Sequence, residues 1–357
     1  MSETARPKSS VAAQGLLLLA VSYTLFLAAD FFIPVVAAII LHLLLMPIVR
    51  KLADWRIPAP VAAALIVTVF VGLLGAGFAS LSGPISDWGA RIPEITSELK
   101  YKIRELREPV ERVQEASKQV EEATEVDASG SSVPTVRLQS PGLLDRLFSS
   151  LQKIGIQFTA MVVLLYFMLA VGDLFTEKLV HAMPRLSDKK RALTIIRQVE
   201  HDVSRYLATV ALINIGFGVA VGVGLFTIGL PNPVLWGIVA AVLNFIPYFG
   251  AIAGMAIVFV VALLEYATLG HALLAPAIYL GINILESQFV TPAVLNRHLT
   301  INPVVLFLAV AFWGFIWGIP GALMAVPLLV ALKALCDHVE RLNAFGEFLS
   351  GRAVPAK

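Results

Sequence analysis

Two long apolar segments in the C-terminal third each carry a break at the midpoint, and no other feature of the chain limits its fold as much. The first runs from Asn232-Pro233 through Leu264 and is interrupted at Asn244-Phe-Ile-Pro-Tyr-Phe-Gly250. The second runs from Asn302-Pro303 through Val330 and is interrupted at Gly318-Ile-Pro-Gly321. The two openings lie 70 residues apart, and beyond the shared Asn-Pro and the placing of the breaks residue identity is slight, so the repeat is weak. A helix of about 32 residues reaches about 48 Å, against a hydrocarbon core of about 30 Å. Each half, about 14 residues, reaches about 21 Å and cannot cross alone. The spacing predicts two helical hairpins that enter a membrane and return on the side they came from. Two kinked, tilted spanning helices are the alternative, because Pro and Gly are common in membrane helices.

Composition supports a bilayer as the solvent. Hydrophobic residues make up 58% of the 357 and charged residues 15%, where soluble domains carry about 25%. The mean hydropathy is +0.81. A formal net charge of +2 gives no case for nucleic acid, and the single cysteine, Cys336, excludes an internal disulfide framework and a multi-cysteine metal site. The first apolar run continues past Asp30 into a second without a small-residue cleavage site, so the segment reads as a retained helix rather than a signal peptide.

Taken in order, the chain divides into N-terminal transmembrane helices (1–83), an extracytoplasmic amphipathic helical arm and loop (84–150), a fourth span with a basic cytoplasmic helix (151–206), a core with the two broken helices (207–335) and a cytoplasmic tail (336–357). The runs Gly15 to Ala29 and Phe31 to Val49 make either a tight pair or one span with a long bent helix. Residues 92–124 are dense in charge and carry Leu99, Ile103, Leu106, Val110, Val113 and Val120 in a heptad-like stripe interrupted by Pro109. That arm packs against copies of itself, or lies on its own protomer or the membrane surface. Lys178 to Arg205 is basic, with Ser187 suited to cap its helix. Gly216, Gly218, Gly222 and Gly224 in the next span permit close helix approach.

Charge bears on the hairpins. Arg6, Lys8, Arg50, Lys51 and Arg56 place the N-terminus and the 50–58 loop in the cytoplasm under the positive-inside rule. Hairpins then put the 265–271 loop, which has an acid and no Lys or Arg, outside; the 291–302 loop, with Arg297 and His298 and no acid, falls inside. Spanning helices would reverse both, so the rule favours hairpins and a cytoplasmic C-terminus. A span plus hairpin entering from outside, followed by one entering from inside, is an inverted repeat of the kind found in alternating-access transporters. The fold class is an all-α polytopic membrane protein with about six spanning helices plus two broken hairpins, or eight spans if the hairpins cross.

Several residues could carry chemistry. Glu286 stands where the Ala272–Leu285 helix gives way to Gln288, Thr291 and Pro292, with Asn283 one turn earlier. A carboxylate near the membrane interior is a functional candidate by default. Glu286 can exchange a proton or help hold a cation while Asn283, Gln288 and Thr291 supply neutral oxygens; its alternative is an interfacial bond to a helix end or an Arg. Asn244 precedes the first break and either binds a polar ligand or satisfies backbone freed by Pro247, and Asn214 in the fifth span faces it. Pro247, Gly250, Pro320 and Gly321 shape the hairpin tips. Asp30 and Glu265 read as interfacial, and His42 as a hydrogen-bonded histidine or a second proton carrier. Metal-ligand, phosphate-loop and nucleophile-elbow motifs do not occur, so the chain reads as no enzyme and as requiring no cofactor.

Tyr206-Leu, Gly229-Leu-Pro-Asn-Pro, the Asn244–Gly250 element, Glu286-Ser-Gln with Thr291-Pro292, Asn302-Pro303, and Gly318-Ile-Pro-Gly321 with Ala325-Val-Pro327 resemble the autoinducer-2 exporter (AI-2E) family of bacterial permeases. The resemblance covers nearly the whole membrane portion. It implies a secondary transporter of the inner membrane that moves a small polar molecule such as autoinducer-2, or a cation, with a proton or sodium ion as coupling species. It also implies a homo-oligomer, with a pentamer among the assemblies it suggests. A passive oligomeric channel and a non-transporting scaffold that uses the 84–150 arm are the rival functions.

Overall fold

The structure is a computed structural model that describes residues 11–84, 86–88, 143–172, 178, 181, 186–294, 301–339 and 342–351. The heptad-like stripe at 92–124 and the Arg297-His298 loop lie outside the described residues. All described regular structure is helical, apart from one isolated antiparallel bridge between Ile301 and Ser350. In chain order the helices are α1 (Val11–Leu27), α2 (Ala29–Asp54), α3 (Ala59–Trp88), α4 (Leu143–Val171), α5 (Leu186–Thr227), α6 (Pro233–Leu243), α7 (Phe249–Glu265), α8 (Leu269–Val294), α9 (Pro303–His338) and α10 (Asn343–Leu349). Six of them, α2, α3, α4, α5, α8 and α9, are long and apolar enough to cross a membrane. Large apolar side chains lie exposed along them, Phe226 at 70% and Phe315 at 82%, as expected where lipid is the solvent.

Only Ala28 separates α1 from α2, and its φ of −99° and ψ of 29° bend the path, so the first two runs form a bent helix with a short first limb. The helix carrying the basic face begins at Leu186, which puts Ser187 in its first turn rather than at the cap. Differences of one or two residues are common at helix ends.

Polar contacts mark two opposite ends of the bundle. At one end Arg50 on α2 pairs with Glu200 on α5 at 2.8 Å, and His338 at the close of α9 lies 3.9 Å from Asp202. At the other, Lys153 on α4 pairs with Asp30 at 2.7 Å, Gln157 donates to the same carboxylate, and Tyr266 donates to the Ile228 carbonyl at 2.7 Å. Burial first and the adjacent Glu265 second push the Tyr266 phenol above its ordinary value.

The first broken segment returns to its starting end. Gly229, at φ 76°, stops α5; the Leu230 N–H then reaches back to Leu225 O, the six-residue bond of a glycine-terminated helix. Helix α6 runs back along α5. A Cβ on Gly218 would come within 2.5 Å of Gly237 O, and one on Gly222 within 3.2 Å of Pro233 O, so the glycine pair four residues apart lets the two backbones touch. After Asn244–Tyr248 the chain reverses, and α7 brings Tyr266 level with Ile228.

The second broken segment reverses at Gly318, whose φ of 64° and ψ of −143° interrupt what would otherwise be one helix. Val310 on the outgoing arm packs with Val326 on the returning arm, and Val305 near its start packs with Leu329 and Cys336 near the finish. This hairpin opens at the Arg50–Glu200 end, because Val203 and Leu207 of α5 share a cluster with Val330 and Ala334. Hence α5 with the α6–α7 hairpin and α8 with the α9 hairpin run in opposite senses. The two Asn-Pro openings differ in detail: Asn302 caps α9 by accepting from Val304 N at 2.9 Å, whereas Asn232 takes a left-handed conformation (φ 55°) and makes no side-chain cap.

Candidate functional site

The tip of the first hairpin is built around strain. Tyr248 has φ 64° and ψ −54°, and the Phe249 N–H donates to Pro247 O at 2.7 Å, closing a three-residue turn of the kind that is rare for any side-chain-bearing residue. Two residues on, a Cβ on Gly250 would sit 1.9 Å from Leu243 O, so only glycine lets α7 start beneath the last turn of α6. The second hairpin repeats the device: a Cβ on Gly321 would sit 2.0 Å from Trp313 O. There Gly318 makes the reversal, and Pro320, which needs no N–H partner, lies in the first turn of the returning arm.

Beside the first tip the helix α8 widens. Glu286–Val290 form a π turn in which the Thr291 N–H bonds to Glu286 O, five residues back. Pro292 lacks an N–H and crowds the preceding turn, which is the local reason for the loosened winding. The helix therefore does not end at Leu285 but continues through the π turn to Val294. In an α-helix, residues four apart stack on one face; with the extra residue, the fifth falls into place instead. Thr291 Oγ1 accordingly donates to Glu286 Oε1, and no other hydrogen bond or ion pair reaches that carboxylate among the described residues.

These elements enclose a cavity of about 490 Å³, within the size range of small-molecule sites. Asn214, Asn244, Asn283, Glu286, Gln288 and Thr291 all line it, as do Pro247 and Tyr248 from the hairpin tip. Glu286 is the single charged side chain among the described lining residues. Asn244 Nδ2 donates to Asn214 Oδ1 at 2.9 Å, tying the tip to the middle of α5. Asn214 is buried, 3% exposed, and its own Nδ2 has no partner among the described residues. A buried amide donor left open at a cavity wall is costly unless a ligand or water completes it.

The cavity stands at one hairpin tip, not between two. From the second hairpin it receives only Val326, and Gly250, Pro320 and Gly321 do not line it. The tip at Gly318 packs instead toward α1 and α2, where Trp317 Nε1 donates to Leu25 O at 3.0 Å and Ile316 meets Phe32, Ile33 and Val36. The hairpins touch lower down, through Phe249 stacked on Phe307 at 5.6 Å. His42 and Asp30 lie on α2, away from the lining, and Glu265 ends α7 at the far end.

Sequence reasoning passed over Tyr206, Ser287 and Tyr248, which also line the cavity. Tyr248 was readable as the residue after Pro247 in a break that had to reverse; Tyr206 stood among the motifs of the family resemblance but was given no place in a site, because an aromatic residue in an amphipathic helix more often marks a packed face.

Comparison with known proteins points to membrane transport. The chain is 27% identical over 212 residues to a putative transport protein of Borreliella burgdorferi, a match that spans 59% of this chain and 58% of that protein. It is 24% identical over 326 residues to the AI-2 transport protein TqsA of Escherichia coli, covering 90% of each. It is 25% identical over 335 residues to the putative transport protein YueF of Bacillus subtilis, covering 90% of this chain and 87% of that one. The AI-2E family transporter model matches residues 16–341, and the chain belongs to that family.

Proposed function

We propose that this membrane transporter is a secondary carrier of the bacterial inner membrane, with both termini in the cytoplasm. It moves a small polar solute through the cavity at the first hairpin tip by alternating access. The observation that carries the reading is the convergence of polar side chains from α5, the tip and α8, Asn214, Asn244, Asn283, Gln288 and Thr291 among them, on one cavity whose described lining holds a single carboxylate. Oppositely directed hairpins supply the two halves that rock around such a site. Glu286 holds the coupling proton: it is the one carboxylate of the described lining, and Thr291 donates to one of its oxygens and leaves the other to exchange the proton. The asparagine amides orient the solute. The E. coli relative is named for AI-2 transport, and autoinducer-2 is accordingly the first solute to try. Homo-oligomeric assembly belongs to the same reading.

Purified protein in proteoliposomes tests it. A carrier gives saturable autoinducer-2 flux with counterflow and a dependence on the imposed pH gradient; Glu286→Gln keeps the fold and loses the pH dependence. Unsaturable flux without counterflow would instead indicate a passive channel, and pH-dependent flux unchanged in Glu286→Gln would remove the carboxylate from the mechanism.

A further inference from the structure

The cavity ends in an unusual wall. Its lining runs along α5 from Asn214 toward Tyr206 and along α8 from Asn283 toward Thr291, that is, toward the Arg50–Glu200 end. One turn in the opposite direction from Asn214, Ala251 and Asn283, the three helices carry Phe217, Gly254 and Tyr279. Phe217 and Tyr279 meet edge to face, with 5.4 Å between centroids and 84° between planes. A Cβ on Gly254 would come within 2.1 Å of the Tyr279 hydroxyl oxygen, so the phenol fills the place of that missing side chain. Tyr279 is 0% exposed, and its hydroxyl has no hydrogen-bond partner among the described residues. Buried tyrosine hydroxyls normally find one, and that bond is what anchors the ring. Beyond the pair the helices close on Val221, Val258 and Ala275, which offer no polar side-chain atom.

We propose that Tyr279 is the gate that shuts the cavity from the end marked by Ile228 and Tyr266, a role that rests on the reading of the cavity as the transport site. Packing holds the ring, against Gly254, the edge of Phe217 and the apolar side chains clustered around them. Asn283 and Glu286 follow it by four and seven residues on the same face of α8. The hydroxyl gains partners by swinging toward them, and the same swing vacates the space between α5, α7 and α8. The unpaired hydroxyl is thus the mark of the shut state, and its hydrogen bonds belong to the open one.

Thiol accessibility tests the gate without knowledge of the solute. The native cysteine is removed by Cys336→Ala, Ala251→Cys places a thiol on the cavity wall, and a membrane-impermeant methanethiosulfonate is applied to either face of oriented proteoliposomes. The expected parent reacts fast from the Arg50–Glu200 face and slowly from the other. Tyr279→Ala raises the slow rate by about tenfold or more, since minor states of two-state proteins commonly hold about 0.1–10% of the population. Tyr279→Phe keeps the packing, folds as stably as the parent, and lowers the slow rate because the open state loses its hydrogen bonds. It carries the test alone if Tyr279→Ala does not fold. Rates unchanged by Tyr279→Ala, or a Tyr279→Phe variant that matches the parent, would overturn the gate. A thiol unreactive from both faces would overturn the cavity reading itself, a separate failure.

Discussion

Replacing Gly250 with alanine probes the first hairpin at its tightest point. The new Cβ would sit 1.9 Å from Leu243 O and 2.6 Å from the carbonyl carbon, and both are backbone atoms of the last turn of α6. No flexible side chain can step aside, so the two helices must part. Helix propensity alone would favour the alanine by about 1 kcal/mol. Overpacking against a fixed neighbour costs about 1–3 kcal/mol, and an overlap with backbone belongs at the upper end of that range. The expected net effect is destabilisation by about 2 kcal/mol. Gly281→Ala is the matched control: it makes the same change within α8, where nothing lies within 4 Å of the added atom, and should stabilise by up to about 1 kcal/mol. Thermal unfolding of both variants in one detergent, followed by tryptophan fluorescence, gives the order of stability. If Gly250→Ala melts with or above Gly281→Ala, the backbones do not cross as described and the reversal at Asn244–Tyr248 is wrong.

Three further variants test other parts of the argument. Lys333, its side chain 4% exposed, has its Nζ 3.0 and 2.7 Å from the two Asp337 oxygens. Asp337→Asn, which strands that buried charge, should cost about 3 kcal/mol, whereas Lys333→Met, which removes it, should be nearly neutral in the same denaturation assay. Tyr248→Gly relieves a conformation worth about 1–3 kcal/mol of strain and gives back about 0.5–1 kcal/mol in chain entropy. Its melting temperature should rise, and a fall would mean that the Tyr248 ring contributes more packing than its exposed position indicates.

The hairpins were legible because length and chemistry agree: halves too short to cross, joined by Pro and Gly, leave few other paths. The polar wall was legible for a related reason, since Asn214, Asn244, Asn283 and Glu286 stand out in apolar helices where each needs a partner. The π turn was not. Pro292 signals trouble for the helix, but only the packed neighbours decide whether the chain ends, kinks or widens there. Tyr279 was hidden too, because an aromatic residue in an apolar span reads as core, and its missing hydrogen bond is a property of three helices together. The parallel between the two breaks misled on one point, the position of the second tip. The break was placed at Gly318–Gly321, where the chain does turn, but Trp317 carries that tip toward α1 instead of the cavity.

The central claim is that the two hairpins enter from opposite faces and each returns to its own. Single cysteines at Thr268 and Val294, placed one at a time in the Cys336→Ala chain and labelled with an impermeant maleimide on intact cells and on inverted vesicles, test it directly. The account predicts that Thr268→Cys reacts only from outside and Val294→Cys only from the cytoplasm. The reverse pattern would mean that both segments cross the membrane, and would contradict it.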